Sequence, residues 1–162
     1  RKISDLAFAS CKELKVVEFS ADSKLEIIGH KVFYQSSIET LIIQSSVEKF
    51  EEEWCNEAFE LTNIEILPNE KENIICCQNK LIFGKSDLTS NNFDVLYFTN
   101  HYIESLNIPS YIRIIGSSAF DSSLIITITF SEDSELFSIE KYAFHHSSLL
   151  SISIPCHVKK NR

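Results

Sequence analysis

A chain of 162 residues with 44% hydrophobic side chains is long enough to bury a sizeable core and too apolar to stay disordered. Its formal net charge of −8 repels phosphates, which argues against nucleic acid as a partner, and its longest basic run, Lys159-Lys160, is too short to hold an anionic membrane surface. With three Gly and three Pro, the chain must punctuate its turns largely with Ser and Asn.

In chain order, apolar residues recur at fixed offsets. A first copy carries Ile3 and Phe8, then Leu14, Val17 and Phe19 with one extra residue. A second copy runs Leu25, Ile28, Phe33, Ile38, Leu41, Ile43. A degenerate third holds Val47, Phe50, Phe59, Ile64 and Ile66, with Glu51-Glu52-Glu53 read as a solvated, Glu-rich insertion and Trp54 as a core filler. From residue 67 to about 108 the period breaks. Leu81-Ile82-Phe83 and Val95-Leu96-Tyr97-Phe98 read there as strands in an irregular coil, with Asn91-Asn92 and Ser86-Asp87 prone to turns. The pattern resumes at Ile103, Leu106 and Ile108. It then repeats without a gap as Ile112, Ile115, Phe120, Ile125, Ile128, Phe130 and as Leu136, Ile139, Phe144, Leu149, Ile152, Ile154, a period of 24 residues. The last copy stops after Val158.

A fixed period of this length is the signature of leucine-rich repeats rather than of unrelated amphipathic strands. The ends of the copies alternate apolar and polar, as in Ile128-Thr129-Phe130, which predicts a short strand buried on one face. Stacked copies predict a parallel sheet of such strands on one side, with the Phe-bearing segments as turns, short strands or helical turns on the other. Ser36-Ser37, Ser122-Ser123 and Ser147-Ser148 are expected to close the return turns through their hydroxyls. The expected fold is a mostly β leucine-rich-repeat solenoid over residues 1–162. A chain that begins with Arg and contains no Met reads as a segment of a longer protein.

The segments Ile108-Pro109-Ser110-Tyr111-Ile112-Arg113-Ile114-Ile115-Gly116-Ser117-Ser118-Ala119-Phe120 and Ile139-Glu140-Lys141-Tyr142-Ala143-Phe144 resemble the BspA-like leucine-rich repeats. Cys11, in Ala7-Phe8-Ala9-Ser10-Cys11, stands where that family's Cys follows its Ala-Phe pair. The resemblance implies a right-handed solenoid in large, often surface-associated proteins, some of them adhesins, with no catalytic residues to carry over.

Chemistry-bearing motifs are weak by comparison. Five Cys (Cys11, Cys55, Cys76, Cys77, Cys156) form an odd, irregular set, so no disulfide framework can be read. That set and the lack of Asn-x-Ser/Thr sequons lean toward a reducing compartment, while the resemblance points to the cell surface. His145-His146 with Cys156-His157 lacks zinc-ligand spacing and reads as solvated turns. Cys76-Cys77 lacks the spacing of a redox pair and reads as half-buried thiols. No cofactor, metal or catalytic role is expected.

The outward strand positions form the candidate site, a sheet face that receives a protein partner: Glu39, Thr40, Asn63, Glu65, Ser105, Asn107, Thr127, Thr129, Ser151 and Ser153. The expected function is a protein-binding module of a surface or adhesin-like protein that recognises a host, matrix or other cell-surface protein. The alternative is a structural spacer whose sheet face is polar only because it is solvated. No apolar stretch reaches the ~18 residues of a membrane span, so no membrane insertion is expected within the segment.

Overall fold

The computed structural model describes residues 1–158; the Lys159-Lys160 pair lies outside the described residues. The inward apolar positions wind the chain into a β-solenoid of about seven turns, with no helix among the described residues. Each regular coil contributes one short strand to each of two sides.

On one side, β1 (Lys2–Ile3), β3 (Ile27–Ile28) and β5 (Lys49–Phe50) pair in parallel. On the other, β2 (Val16–Glu18), β4 (Thr40–Gln44) and β6 (Asn63–Leu67) form a second parallel ladder, Val16 beside Thr40 beside Asn63. The chain then leaves the coil pattern. β7 (Ile74–Cys77), β8 (Leu81–Gly84) and β9 (Val95–Thr99) form an antiparallel meander. Coiling resumes with β10 (Ser105–Ile108), β12 (Thr127–Phe130) and β14 (Ser151–Ile152) in one parallel sheet, while β11 (Ile114–Ile115) and β13 (Ser138–Ile139) extend from β9.

The meander splits what the repeat period predicts as one long sheet into two three-stranded sheets, and it splits the interior with it. One core runs from Val17 through Ile82 and includes Phe98; the other gathers Phe83, Leu96 and residues from Ile108 to Ala143. Tyr97 packs against the first core. Its ring lies 5.3 Å from that of Phe50, and a Cβ added at Gly84 would overlap it. Burial, then the charges of Glu140 and Asp94, pushes the Tyr97 phenol up to about 12. An unfolded tyrosine titrates near ~10. The folded state therefore holds this proton more tightly, and the stability it contributes is complete below pH ~10 and is lost as pH rises toward about 12. The urea midpoint is expected to fall across that window, and Tyr97→Phe to flatten the fall.

The corners opposite the long strands show how the chain turns without glycine. Two residues per corner have positive φ: Leu6 and Ser10, Lys31 and Gln35, Glu53 and Glu57, Ser118 and Ser122, Tyr142 and His146. A left-handed conformation costs a non-glycine residue roughly 1–2 kcal/mol. It is held here by rungs between coils, with the Phe8, Phe33 and Phe120 amides donating to the carbonyls of Val32 (2.9 Å), Trp54 (2.8 Å) and Ala143 (2.8 Å). Serine hydroxyls close the turns as expected: Ser36 and Ser123 donate to the Phe33 and Phe120 carbonyls at 2.9 and 2.8 Å. The strained positions themselves, however, hold Leu, Lys, Gln, Glu, Tyr and His as well as Ser.

The third copy needs correction. Glu53 and Glu57 occupy the same corner positions as Lys31 and Gln35, so Glu51-Glu52-Glu53 is not an insertion. These three glutamates pair with lysines of other coils: Glu51 with Lys2 (2.7 Å), Glu52 with Lys141 (3.2 Å) and Glu53 with Lys31 (2.9 Å). Trp54 is fully buried, in agreement with its reading as a core filler, whereas Phe59 is exposed and the buried Leu61 is the counterpart of Ile38.

Candidate protein-binding face

Strand alternation puts every second side chain of β4, β6, β10 and β12 outward. The ten predicted face residues fall into two groups, because the meander separates their sheets. On the first sheet, Lys15 bridges Glu39 (2.9 Å) and Glu60 (2.7 Å) just before the strands. Both contacts push the Lys15 amine upward in pKa, that with Glu60 the more. Thr40 is half-buried, and Asn63 accepts a hydrogen bond at 3.1 Å from Asn79 at the tip of the β7–β8 hairpin. Glu65 is exposed and shares its row with Ile42 and Glu18. This face is charged and partly engaged by its own chain.

The second sheet differs. Ser105, Thr127 and Ser151 stand side by side in register, and Asn107 stands beside Thr129. Ser153 follows one residue past β14. All six are exposed and uncharged. The Thr129 hydroxyl donates to the Asn107 side-chain carbonyl at 3.0 Å. Along the edge where these strands begin lie large apolar residues that the template did not flag: Tyr102, Leu124, Ile126 and Leu150, the last 83% exposed. Ile126 and Leu150 each immediately precede a paired residue, Thr127 and Ser151. The available signal was the doubling of apolar residues beside a core position, in Leu124-Ile125-Ile126 and Leu149-Leu150.

The other motifs stay apart. The His145 ring nitrogen Nδ1 is 2.9 Å from the Asp121 carboxylate, whose pKa is raised chiefly by burial. Cys156-His157 lies in an exposed turn. Among the described residues no three His, Cys, Asp or Glu side chains gather as a metal site. All five cysteines are free thiols. The Cys76 thiol donates to the Ile64 carbonyl at 3.4 Å, and burial pushes both Cys55 and Cys76 upward in pKa, which keeps them protonated and unreactive.

Six copies of the BspA type Leucine rich repeat region match the sequence, over residues 1–95 and 92–162. The chain belongs to this family. Solved structures share the fold of this BspA-type chain. A leucine-rich repeat protein from Eubacterium ventriosum superposes with a TM-score of 0.78 at 23% identity over 96% of this chain and 39% of its own. The pneumococcal vaccine antigen PcpA gives 0.77 at 23% identity over 98% and 38%. A leucine rich cell surface protein from Faecalibacterium prausnitzii gives 0.62 at 18% identity over 96% and 52%. The chain thus spans roughly two fifths to one half of the length of these structures. No curated protein sequence matches it. Among the described residues, no helix is long and apolar enough to cross a membrane.

Proposed function

We propose that this BspA-type repeat array, spanning 1–162 within a larger surface or adhesin-like protein, binds another protein through the exposed face of β10, β12 and β14. The observation that supports this reading is the pairing of two rows. Ser105, Asn107, Thr127, Thr129, Ser151 and Ser153 present exposed hydroxyl and amide groups without charge, beside exposed Tyr102, Leu124, Ile126 and Leu150. Uncharged polar groups cost far less to desolvate than carboxylates or amines, and apolar neighbours supply the burial that drives association. On the first sheet, Glu39, Thr40, Asn63 and Glu65 form a charged counterpart suited to steering and to partner choice rather than to tight packing. The repeat family and the name of one structural relative, a cell surface protein, agree with a partner that is a host, matrix or cell-surface protein.

The spacer reading competes on one observation: Thr129 and Asn107 already satisfy each other, as a merely solvated face would. Binding to a panel of purified matrix and cell-surface proteins separates the two. Thr129→Arg places a long charged side chain among the hydroxyls and is expected to weaken capture at least ~10-fold, about 1.4 kcal/mol. Because Thr129 is exposed, thermal stability should not change. No capture by either chain across the panel would favour the spacer, and equal capture by both would overturn the assignment of binding to this face.

A further inference from the structure

One coil is shorter than its neighbours. The ladders pair Leu96 with Ile115 and Leu106 with Ile128, so thirteen residues carry the later coil between two points that the earlier coil joins with ten. The next coil again uses thirteen, from Ile139 to Ile152. The short coil loses residues ahead of its corner: Thr99 stands three residues after Leu96 where Phe120 stands five after Ile115, and its amide makes the usual rung to the Ala119 carbonyl at 2.8 Å, so a threonine takes the place that Phe holds in the regular coils. Phe98 partly fills the gap, its ring 5.5 Å from that of Trp54.

What remains is a cavity of about 20 Å³ where three coils meet, lined by Cys55 of the coil before, by Phe98 and His101 of the short coil, and by Ser118, Asp121 and Ser122 of the coil after. Two polar atoms of its lining, His101 Nδ1 and Ser118 Oγ, are buried without a protein partner. Ser118 is 97% buried and is held at a φ of 59° by the corner geometry, inside a pocket whose outer rim is formed by Glu57 and exposed Phe59. The His101 ring is fixed between the edges of Phe59 and Tyr102 at 5.4 and 4.9 Å. Nearby polar groups already have partners: the Thr99 hydroxyl donates to the Ala119 carbonyl, and the Asp121 carboxylate receives Ser122 and faces His145. Each buried polar atom without a partner costs roughly 1–3 kcal/mol. One water needs on the order of 10–15 Å³ and at least two polar partners.

We infer that this cavity is a binding site for a single ordered water, hydrogen-bonded to His101 Nδ1 and Ser118 Oγ. The water stands in for the missing Phe and ties the short coil to the one that follows. The site touches the proposed partner-binding face through Tyr102, but its test does not involve capture.

A high-resolution crystal structure of the wild-type chain should show one water within hydrogen-bonding distance of both atoms. Long-lived water contacts to the Ser118 amide should appear in nuclear Overhauser spectra. His101→Phe keeps the ring edges and removes the nitrogen, while Ser118→Ala removes the hydroxyl. Because the two side chains act through one water, the double substitution should change the unfolding constant by roughly threefold less than the product of the single effects. If either variant fails to fold, the wild-type density and water contacts decide alone. A direct His101–Ser118 hydrogen bond with the cavity closed, or an empty cavity with multiplicative effects, would overturn the assignment.

Discussion

Trp54→Ala is expected to destabilise the chain by about 3–5 kcal/mol, the range for deleting a large buried aromatic side chain. The indole is fully buried and touches three rings, those of Phe33, Phe50 and Phe98, at centroid distances of 6.2, 4.9 and 5.5 Å. Each of those rings is anchored by its own coil, so the site collapses little and a cavity remains. Trp54→Phe is a useful companion. The indole N–H has no protein partner, so losing it breaks no hydrogen bond, and the smaller ring keeps most of the packing. Its cost should stay below ~1.5 kcal/mol. Urea unfolding with an unchanged slope reads both values. If the two substitutions cost the same, the indole is not the keystone of the first core.

Phe120→Ala is the counterpart in the second core, with a similar expected loss of ~3–5 kcal/mol. The sequence template gives Phe144 the same role, but burial separates the two. Phe120 is fully buried, whereas Phe144, stacked on it at 5.0 Å, is only half-buried in the last coil. Apolar burial scales with the area removed from water, so Phe144→Ala should cost about half as much or less. Urea titration of the two variants side by side tests this. Equal losses would mean that Phe144 is covered as fully as Phe120.

The two cores give the measurements a further use. The first core ends at Ile82 and Phe98 and the second begins at Phe83 and Leu96, with the strand partners Phe83 and Leu96 facing one way and Ile82 and Phe98 the other. In a repeat array, stability is a sum of coil and neighbour terms. Trp54→Ala and Phe120→Ala therefore load different ends of the chain.

Most of the regular coiling was legible because an inward position needs a large apolar side chain and an outward one does not. Ile28, Phe33, Leu41, Ile43, Ile115, Phe120, Ile125 and Ile128 are all buried where the period places them. The extra residue in the first copy also appears in the ladder, which pairs Ile3 with Ile28 but Val17 with Leu41. The third copy departs from the repeat pattern because Cys55 occupies the corner position that Phe holds elsewhere. The next Phe along the chain is the exposed Phe59, while the bulk is supplied by Trp54, one residue before Cys55. In the middle block the strands at 81–83 and 95–98 were visible from their apolar runs. Their antiparallel pairing was not, nor was β7, because the three-residue hairpin loop Gln78-Asn79-Lys80 turns on Gln78 and Asn79, both with positive φ, and has no glycine to announce it. Of the candidate face, outward polarity could be read from alternation. Its division into a charged and an uncharged sheet could not, since that follows from where the meander enters.

The corners carry a final consequence. Their left-handed residues are set by rungs from coil to coil, not selected by side-chain type, and so Leu6, Lys31, Glu53, Ser118 and Tyr142 share one backbone shape. Geometry at these vertices is thereby uncoupled from chemistry. At the exposed vertices, such as Leu6 and Tyr142, a lineage can exchange charge, bulk or aromaticity without redrawing the path of the chain, which leaves the outer ridge free to diversify while the interior stays constant.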